Sequence, residues 1–302
     1  MTTINLKAPA KINLWLDIKS RRDDGYHDIE SVMQTVTLFD ELTLERHETD
    51  PGGQQSRRRN FRHIGISCSV DELACDESNL CYRAAQEFFG SIGQKSYSVS
   101  IHIDKHIPIA AGLAGGSTDA AATLIGLNRL YDAKLTDEEL CALGARLGAD
   151  VPFCIRRGIS VTRGIGEIFS PCQKMPGCFI LIACEGERVS TPWAYKRLDE
   201  LYDFAARHID VDRFTKLLEG GVLSRVASGM SNIFESAVLP VRERARELKN
   251  AMLECGALSS LMSGSGPSVF GIFDNLSAAE SAKSRLAADG IEAYLCEPYY
   301  NI

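Results

Sequence analysis

The sequence predicts an α+β protein with two domains. At 302 residues the chain is long enough to bury two cores. Segments that alternate like strands are interleaved with segments that carry apolar residues at helical spacing, and this order favours an α+β arrangement over one long parallel sheet. The domain boundary is expected near residue 158, which gives an N-terminal domain over 1–158 and a C-terminal domain over 159–302.

The predicted strands alternate apolar and polar residues. In the first of them, Ile12, Leu14, Leu16 and Ile18 lie on one side, which predicts a strand with a single buried face. The remaining strands are expected at 34–44, 96–104, 178–184, 258–262, 268–273 and 292–297.

The predicted helices carry apolar residues at helical spacing and have identifiable ends. Three of them are expected at 79–89, 120–131 and 277–288. Another begins at Thr136, because Thr136 and Glu139 have the spacing of a capping box, and it ends before Gly148. The segment 148–152 is expected to be a turn, since Pro152 disfavours helical geometry at the residue before it.

Composition and charge exclude several classes of function. The formal charge is −7, from 33 basic and 40 acidic residues, which argues against a general nucleic-acid binder. The one basic run, at 57–59, lies in a polar stretch that is interpreted as a solvated loop. No apolar run is long enough to span a membrane, and the N-terminus lacks the layout of a signal peptide, so a cytoplasmic protein is expected.

The ten cysteines contain no C-x-x-C pair. Closely spaced pairs are typical of zinc sites, and disulfides are typical of secreted chains, so both are disfavoured here. Most of the cysteines are expected to be small buried hydrophobes. A thiol- or metal-dependent regulator remains as an alternative that rests on the cysteine count alone.

A glycine-rich segment at 112–119 precedes helical sequence and predicts a phosphate site. Glycines let the backbone approach an anion, and a helix that starts directly after them offers unsatisfied N–H groups. The spacing of Gly112, Gly115 and Gly116 fits neither the lysine-bearing P-loop nor the dinucleotide fingerprint. Such a loop needs a cation from elsewhere, either Mg²⁺ or a lysine on another element. The alternative is a glycine-rich turn that caps an ordinary helix.

Three segments, in order, resemble the three motifs of the GHMP kinase superfamily. They are Ala8–Leu14, Pro108–Ala121 and Met262–Phe270, and together they span nearly the whole chain. The resemblance implies an ATP-dependent small-molecule kinase that uses ATP and Mg²⁺. It also implies a ribosomal-S5-like N-terminal domain, a ferredoxin-like C-terminal domain and an active site in the cleft between them. The ATP-binding residues that it implies are Pro108, Ile109, Ala110, Ala111, Gly112, Leu113, Ala114, Gly115, Gly116, Ser117, Thr118 and Asp119.

Two residues match the catalytic positions of the superfamily. By resemblance, Asp150 takes the proton of the acceptor hydroxyl, and Lys11 pairs with this aspartate and steadies the developing charge. Taken alone, Asp150 reads as a turn aspartate and Lys11 as an exposed strand lysine. The metal ligands are not assigned.

Four further residues resemble the substrate site of those members that phosphorylate a cytidine diphosphate sugar alcohol in non-mevalonate isoprenoid synthesis. Asn13 is expected to contact the substrate, and His27 to bond the edge of the cytosine. Tyr26 and Tyr195 are expected to stack on opposite sides of the base. Taken singly, each aromatic is more often a core residue.

Two rival interpretations stay open within the superfamily. The acceptor could instead be mevalonate or homoserine, although neither needs a pocket for a base, and a non-catalytic member would be expected to lack Lys11 or Asp150. Three features depart from the pattern: Ala114 in place of a common glycine, Met33 where an aromatic can occur, and the polar insertion at 49–61. The expected partners are ATP and the cytidine substrate, without nucleic acid or membrane, in a monomer or weak homodimer.

Overall fold

The fold is taken from a computed structural model that describes residues 2–48, 61–184, 188–204 and 210–300. The chain divides into two compact units, each made of three segments. Unit 1 comprises Met1–Pro9, Phe39–Ile107 and Gly115–Arg156, and unit 2 comprises Ala10–Leu38, Pro108–Ala114 and Arg157–Ile302.

Strands and helices are interleaved throughout, which confirms the α+β prediction. The strands are β1 (Thr3–Arg21), β2 (His27–Arg46), β3 (Arg62–Cys68), β4 (Tyr97–Asp104), β5 (Ile159–Gly164), β6 (Ile168–Pro171), β7 (Phe179–Ala183), β8 (Ser231–Asn232), β9 (Ser259–Met262), β10 (Val269–Phe273) and β11 (Ala293–Cys296). The helices are α1 (Leu80–Ser91), α2 (Gly115–Leu130), α3 (Asp137–Ala145), α4 (Val151–Arg156), α5 (Thr191–Leu201), α6 (Val211–Glu219), α7 (Leu223–Gly229), α8 (Phe234–Val238), α9 (Glu243–Glu254) and α10 (Leu276–Ala288). Among the described residues, no helix is both long and apolar enough to cross a membrane.

Unit 1 packs helices against the C-terminal half of β2 and its neighbours. The residues 41–46 of β2 pair antiparallel with β4, and β4 pairs parallel with β3. Helix α2 packs against α1 and α4. Leu44 and Leu127 are fully buried, and the packing is so close that a Cβ atom at Gly126 would lie 2.7 Å from Leu6 and 2.9 Å from Leu44.

Unit 2 contains a four-stranded antiparallel sheet in the order β11-β7-β10-β9. With α9 before β9 and α10 before β11, these elements follow a β-α-β-β-α-β order, in agreement with the ferredoxin-like expectation. Buried residues of both helices, including Leu248 and Leu286, pack on Leu181 and Phe273 of the sheet. Helices α5 to α8 are inserted between β7 and α9.

Two sequence expectations were wrong in detail. Strand β1 is buried on both faces rather than one, since Lys11 and Asn13 are 4% and 1% exposed. Polar side chains tolerate such burial when they are hydrogen-bonded, as these two are. The segment 148–152 is a turn only as far as Asp150, because Val151 and Pro152 already belong to α4. Proline is tolerated in a first helical turn, where its missing N–H needs no partner.

The predicted cap of α3 is confirmed. The backbone N–H of Glu139 donates to Thr136 Oγ1 at 3.2 Å, and the N–H of Thr136 donates to the Glu139 carboxylate at 2.8 Å. Helix α2, in contrast, begins at Gly115, earlier than the predicted position 120. The boundary at residue 158 stays a prediction.

We expect Thr136→Ala to lower the free energy of unfolding by about 1 kcal/mol, because one N–H of the first turn of α3 loses its acceptor. Urea denaturation measures this change. Ser277→Ala is the matched control, since Ser277 is exposed and makes no cap, and it is expected to stay within about 0.5 kcal/mol of the wild type. Equal stabilities of the two variants would contradict the capping assignment.

Candidate active site

The loop Pro108–Ala114 of unit 2, called the glycine loop below, packs against the turn that follows β9. Ser263 Oγ donates to the carbonyl oxygen of Gly112 at 3.0 Å, and the N–H of Ser268 donates to the carbonyl of Ala111 at 3.3 Å. Gly112 has a φ of +78°, and a Cβ atom there would lie 2.2 Å from the backbone oxygen of Ser263. Only glycine fits this position, for reasons of both space and backbone conformation.

The turn at 263–267 is held in place by hydrogen bonds from Asn232. Asn232 Nδ2 donates to the carbonyl oxygens of Met262 and Gly264 at 2.7 and 2.8 Å. Gly264 and Gly266 have φ values of +55° and +83°, a conformation that favours glycine. The turn between β9 and β10 therefore lies against the glycine loop within unit 2.

Lys11 and Asn13 lie side by side on β1 and start a short hydrogen-bond chain. Lys11 Nζ donates to Asn13 Oδ1 at 2.8 Å, Asn13 Nδ2 donates to Ser31 Oγ at 2.9 Å, and Ser31 donates to the carbonyl of Trp15 at 2.7 Å. The chain fixes which end of the Asn13 amide faces the lysine. The backbone N–H of Lys11 also donates to Leu113 O at 3.1 Å, so the lysine and the glycine loop are tied together within unit 2.

His27 is packed on three sides. Tyr195 stacks on its face with ring centroids 4.6 Å apart, and Phe204 meets it edge-on at 5.9 Å. Its Nε2 atom lies 2.7 Å from Asp199 Oδ1. Tyr195 and Asp199 are four residues apart on α5 and therefore share one helix face.

Tyr26 is placed differently from the other predicted substrate residues. Its side chain is 62% exposed, and it follows a turn in which Gly25 has a φ of +87° and its N–H donates to Arg22 O at 3.1 Å. The structure brings His27 and Tyr195 into direct contact, whereas no ring contact joins Tyr26 to Tyr195 in the described part of the chain. A surface cavity of about 320 Å³, lined in part by Asp199, Tyr202 and Phe204, lies beside the His27 cluster.

In unit 1, the N-terminus of α2 starts with Gly115 and Gly116. Gly116 is exposed and Ser117 is half-buried, so the first turn offers N–H groups without intrahelical partners at an accessible surface. Thr118 and Asp119 point into the core and are 1% and 2% exposed. Thr118 Oγ1 and Asp119 Oδ1 are buried without a hydrogen-bond partner among the described residues.

A buried charge network links the residues just before and just after the glycine loop in unit 1. The sequence did not indicate this network. Lys105 Nζ bonds both Asp40 Oδ2 and Asp119 Oδ2, the latter at 2.9 Å. Asp40 Oδ1 accepts from the N–H groups of His106 and Ile107 at 2.6 and 2.8 Å. The ammonium group is thus shared by two carboxylates and lies directly under the start of α2, where a Cβ atom at Gly115 would be 2.9 Å from Nζ.

Burial dominates the protonation of this network. Desolvation raises the pKa of Asp119 to about 8, Lys105 opposes the shift, and the Asp40 carboxylate adds to it. Burial lowers the pKa of Lys105, but the two carboxylates more than offset this, so the net direction is upward. Burial therefore favours the protonated form of the Asp119 side chain.

Asp150 lies in unit 1, directly before α4. Its carbonyl oxygen accepts from the N–H of Cys154 at 3.0 Å, and its side chain is half-buried. The pairing of Asp150 with Lys11 of unit 2 stays a prediction. Of the three departures, Ala114 has a φ of +58°, which strains any residue but glycine, and Met33 is 2% exposed. Residues 49–60 of the polar insertion lie outside the described residues.

Sequence reasoning missed Asp40, Lys105 and Asp199. Lys105 stands just before the glycine segment and Asp199 follows Tyr195 by one helical turn, so spacing offered a weak signal for these two. Asp40 gave none, because its role depends on the pairing of β2 with β4.

The chain matches two protein-family models and a named relative. Models of the GHMP kinase N-terminal and C-terminal domains match residues 79–158 and 214–292. A 4-diphosphocytidyl-2-C-methyl-D-erythritol kinase of Alkaliphilus metalliredigens is 40% identical over 299 residues, which cover 99% of this chain and 98% of the relative.

Two solved structures extend the comparison to the fold. One is a 4-(cytidine 5'-diphospho)-2C-methyl-D-erythritol kinase, with a TM-score of 0.79, 30% identity and coverage of 99% of this chain and 100% of that one. The other is a homoserine kinase of Cytophaga hutchinsonii, with a TM-score of 0.71, 20% identity and coverage of 100% and 96%, a likeness that shows the fold alone.

The chain belongs to the GHMP kinases, a family of ATP-dependent small-molecule kinases. Within the family, the chain is similar over 99% of its length to 4-diphosphocytidyl-2-C-methyl-D-erythritol kinases.

We expect Gly112→Ala to weaken ATP binding at least tenfold and to lower the melting temperature, because the added methyl group meets the Ser263 backbone and the positive φ is strained. Calorimetric titration with ATP and thermal unfolding measure the two effects. Gly177→Ala is the control, since a Cβ atom added at Gly177 would meet no other atom within 4 Å. An alanine variant at 112 that matches the control would contradict the close docking of the loop.

We expect the stability of the wild type to fall relative to Asp119→Asn as the pH rises from about 4 to about 8. The folded protein keeps the Asp119 proton over this range while the unfolded chain, with an ordinary value of 3.8, has lost it. The slope is at most about 1.4 kcal/mol per pH unit. Urea unfolding at a series of pH values measures it, with the exposed Asp132→Asn as control. A difference that is constant or rises with pH would contradict the assignment.

Proposed function

We propose that this kinase transfers the γ-phosphoryl group of ATP to the 2-hydroxyl of 4-diphosphocytidyl-2-C-methyl-D-erythritol. The observation that carries the proposal is the 40% identity over 99% of the chain to a kinase named for that substrate. The local geometry agrees with it, since unit 2 holds a glycine loop, a lysine–asparagine pair and a histidine–tyrosine cluster of the kind that a cytidine diphosphate substrate requires.

The triphosphate is assigned to residues 108–119. Backbone N–H groups of the loop and of the first turn of α2 supply donors, and the positive end of the helix dipole favours negative charge. The lysine just before the loop does not supply the missing cation in this proposal, because Lys105 is shared by Asp40 and Asp119. The charge of the phosphates is met instead by backbone donors, by Mg²⁺ and by Lys11.

Mg²⁺ is part of the proposal. Among the described residues, no group of three or more His, Cys, Asp or Glu side chains could hold a metal ion. Magnesium bound to a nucleotide keeps several waters and needs only one or two protein oxygens besides the phosphates, so the residues at the start of α2 fit this mode. The half-buried Ser117 offers a hydroxyl at that place. When bound, the ion neutralises charge on the phosphate oxygens.

Asp150 and Lys11 are assigned to the chemical step. The Asp150 carboxylate accepts the proton of the 2-hydroxyl as the hydroxyl oxygen bonds to the γ-phosphorus, and the bond between that phosphorus and the bridging oxygen breaks to release ADP. The Lys11 ammonium stabilises the negative charge that develops on the transferred group. Asn13 holds Lys11 through the 2.8 Å hydrogen bond and is assigned to the substrate as well. Phosphoryl transfer asks for positioning and charge more than for covalent chemistry, which suits so small a set of groups.

The acceptor end is assigned to His27, Tyr195 and Tyr26. His27 reads the edge of the cytosine, and the exposed Tyr26 is placed to cover the ring from the solvent side. We also propose a cytoplasmic enzyme that works as a monomer or weak homodimer. Homoserine or mevalonate is the alternative acceptor, supported only by the shared fold.

An assay of the wild type with three acceptors tests the substrate. We expect phosphorylation of the cytidine substrate, measured by ³¹P NMR of the product, and none of mevalonate or homoserine. Turnover of mevalonate or homoserine alone would show that the acceptor assignment is wrong.

We expect Asp150→Ala to reduce kcat by about 10²–10⁴-fold while ATP still binds, because only the acceptor for the hydroxyl proton is lost. Single-turnover kinetics and calorimetric titration with ATP separate the two effects. Asp71→Ala removes an exposed carboxylate from the same unit and is expected to leave kcat unchanged. Near-normal turnover of the Asp150 variant would refute the assignment of the base.

A further inference from the structure

The ring of His27 is fixed in one orientation by residues of α5 and by Phe204, which follows that helix in the chain. Tyr195 covers one face with an interplanar angle of 19°, and Phe204 stands against the ring at 79°. The side chain is 6% exposed, and Nε2 lies 2.7 Å from Asp199 Oδ1. Since a face and one nitrogen are already engaged, the polar group that remains for a ligand is Nδ1, which lies in the plane of the ring.

The contact with Asp199 decides where the ring proton lies. A carboxylate oxygen only accepts, so the hydrogen of this bond belongs to Nε2 of His27. In the neutral ring Nδ1 is then an acceptor, and within the described part of the chain no hydrogen bond reaches it. The Arg21 guanidinium lies 3.5 Å from the other carboxylate oxygen of Asp199, so both oxygens of this side chain have a partner.

We propose that Asp199 is a positioning residue for base specificity, which holds His27 as the Nε2–H tautomer so that Nδ1 accepts a hydrogen bond from the exocyclic amino group of cytosine. This inference rests on the proposed function. Cytosine carries an amino donor at the position where uracil carries a carbonyl oxygen. A fixed acceptor opposite that position meets a donor in one base and a second acceptor in the other, which discriminates between them.

The position of the residue supports a role in the site rather than in the core. Asp199 lines the surface cavity of about 320 Å³ together with Ser20, Arg21 and Phe204. Its side chain is 22% exposed, so the carboxylate is accessible from the cavity. The adjacent acid on α5, Glu200, instead makes an exposed ion pair with Arg197 at 2.8 Å.

Kinetics of three variants test the inference. We expect Asp199→Ala to raise the KM for the cytidine substrate about tenfold, to leave the KM for ATP within twofold, and to reduce the preference for the cytidine over the uridine form of the substrate. Asp199→Asn is expected to keep most of the wild-type KM and preference, because its amide oxygen still accepts from Nε2–H. Glu200→Ala removes the neighbouring acid and is expected to match the wild type.

The tautomer is measured directly by ¹⁵N NMR of the His27 ring, assigned by comparison with His27→Gln. We expect a protonated Nε2 in the wild type and in Asp199→Asn, and a mixture of tautomers in Asp199→Ala. If the wild type is active and Asp199→Ala has the same KM, base preference and ring spectrum, the role of Asp199 is overturned while the proposed function stands. A wild type that does not phosphorylate the cytidine substrate would overturn the proposed function together with this inference.

Discussion

The contact between Gly112 and the backbone of Ser263 is the constraint on which the glycine loop depends. Because Gly112 has no side chain, the loop packs directly against the turn after β9. This placement allows the hydrogen bonds from Ser268 to Ala111 and from Lys11 to Leu113. Ala110 and Ala114 adopt φ values of +56° and +58° on either side, a strain of about 1 kcal/mol each that the docked loop must overcome. The loop is therefore held in this conformation at the expense of local backbone energy.

Buried polar groups are satisfied in two different ways. From Lys11 and Asn13 a chain of hydrogen bonds runs through Ser31 and ends on the backbone carbonyl of Trp15. Around Lys105 the partners are two carboxylates, and burial together with the Asp40 carboxylate raises the pKa of Asp119. The first arrangement fixes the orientation of the Asn13 amide, and the second ties backbone segments together.

The sequence indicated the elements and the motif positions well, because both depend on local patterns. The cap at Thr136, the strands on each side of the Ser263 turn and the glycine loop were all visible in short windows of residues. Contacts that depend on strand pairing were not visible. Asp40 meets Lys105 only because β2 pairs with β4, and the second face of β1 is buried only because other elements of unit 2 cover it. The orientation of His27 likewise required α5 to be in place.

Because unit 2 is made of three separate segments of the chain, its parts are synthesised at different times. The glycine loop leaves the ribosome well before Ser263 and Ser268, to which it bonds. Strand β10, which follows the turn, pairs with both β7 and β9 and so closes the sheet late. A nascent chain that has completed the loop therefore still lacks the turn to which the loop bonds. In chains truncated ahead of this turn, the loop would consequently lack its support, so the packing of unit 2 is completed only after β10 has been made.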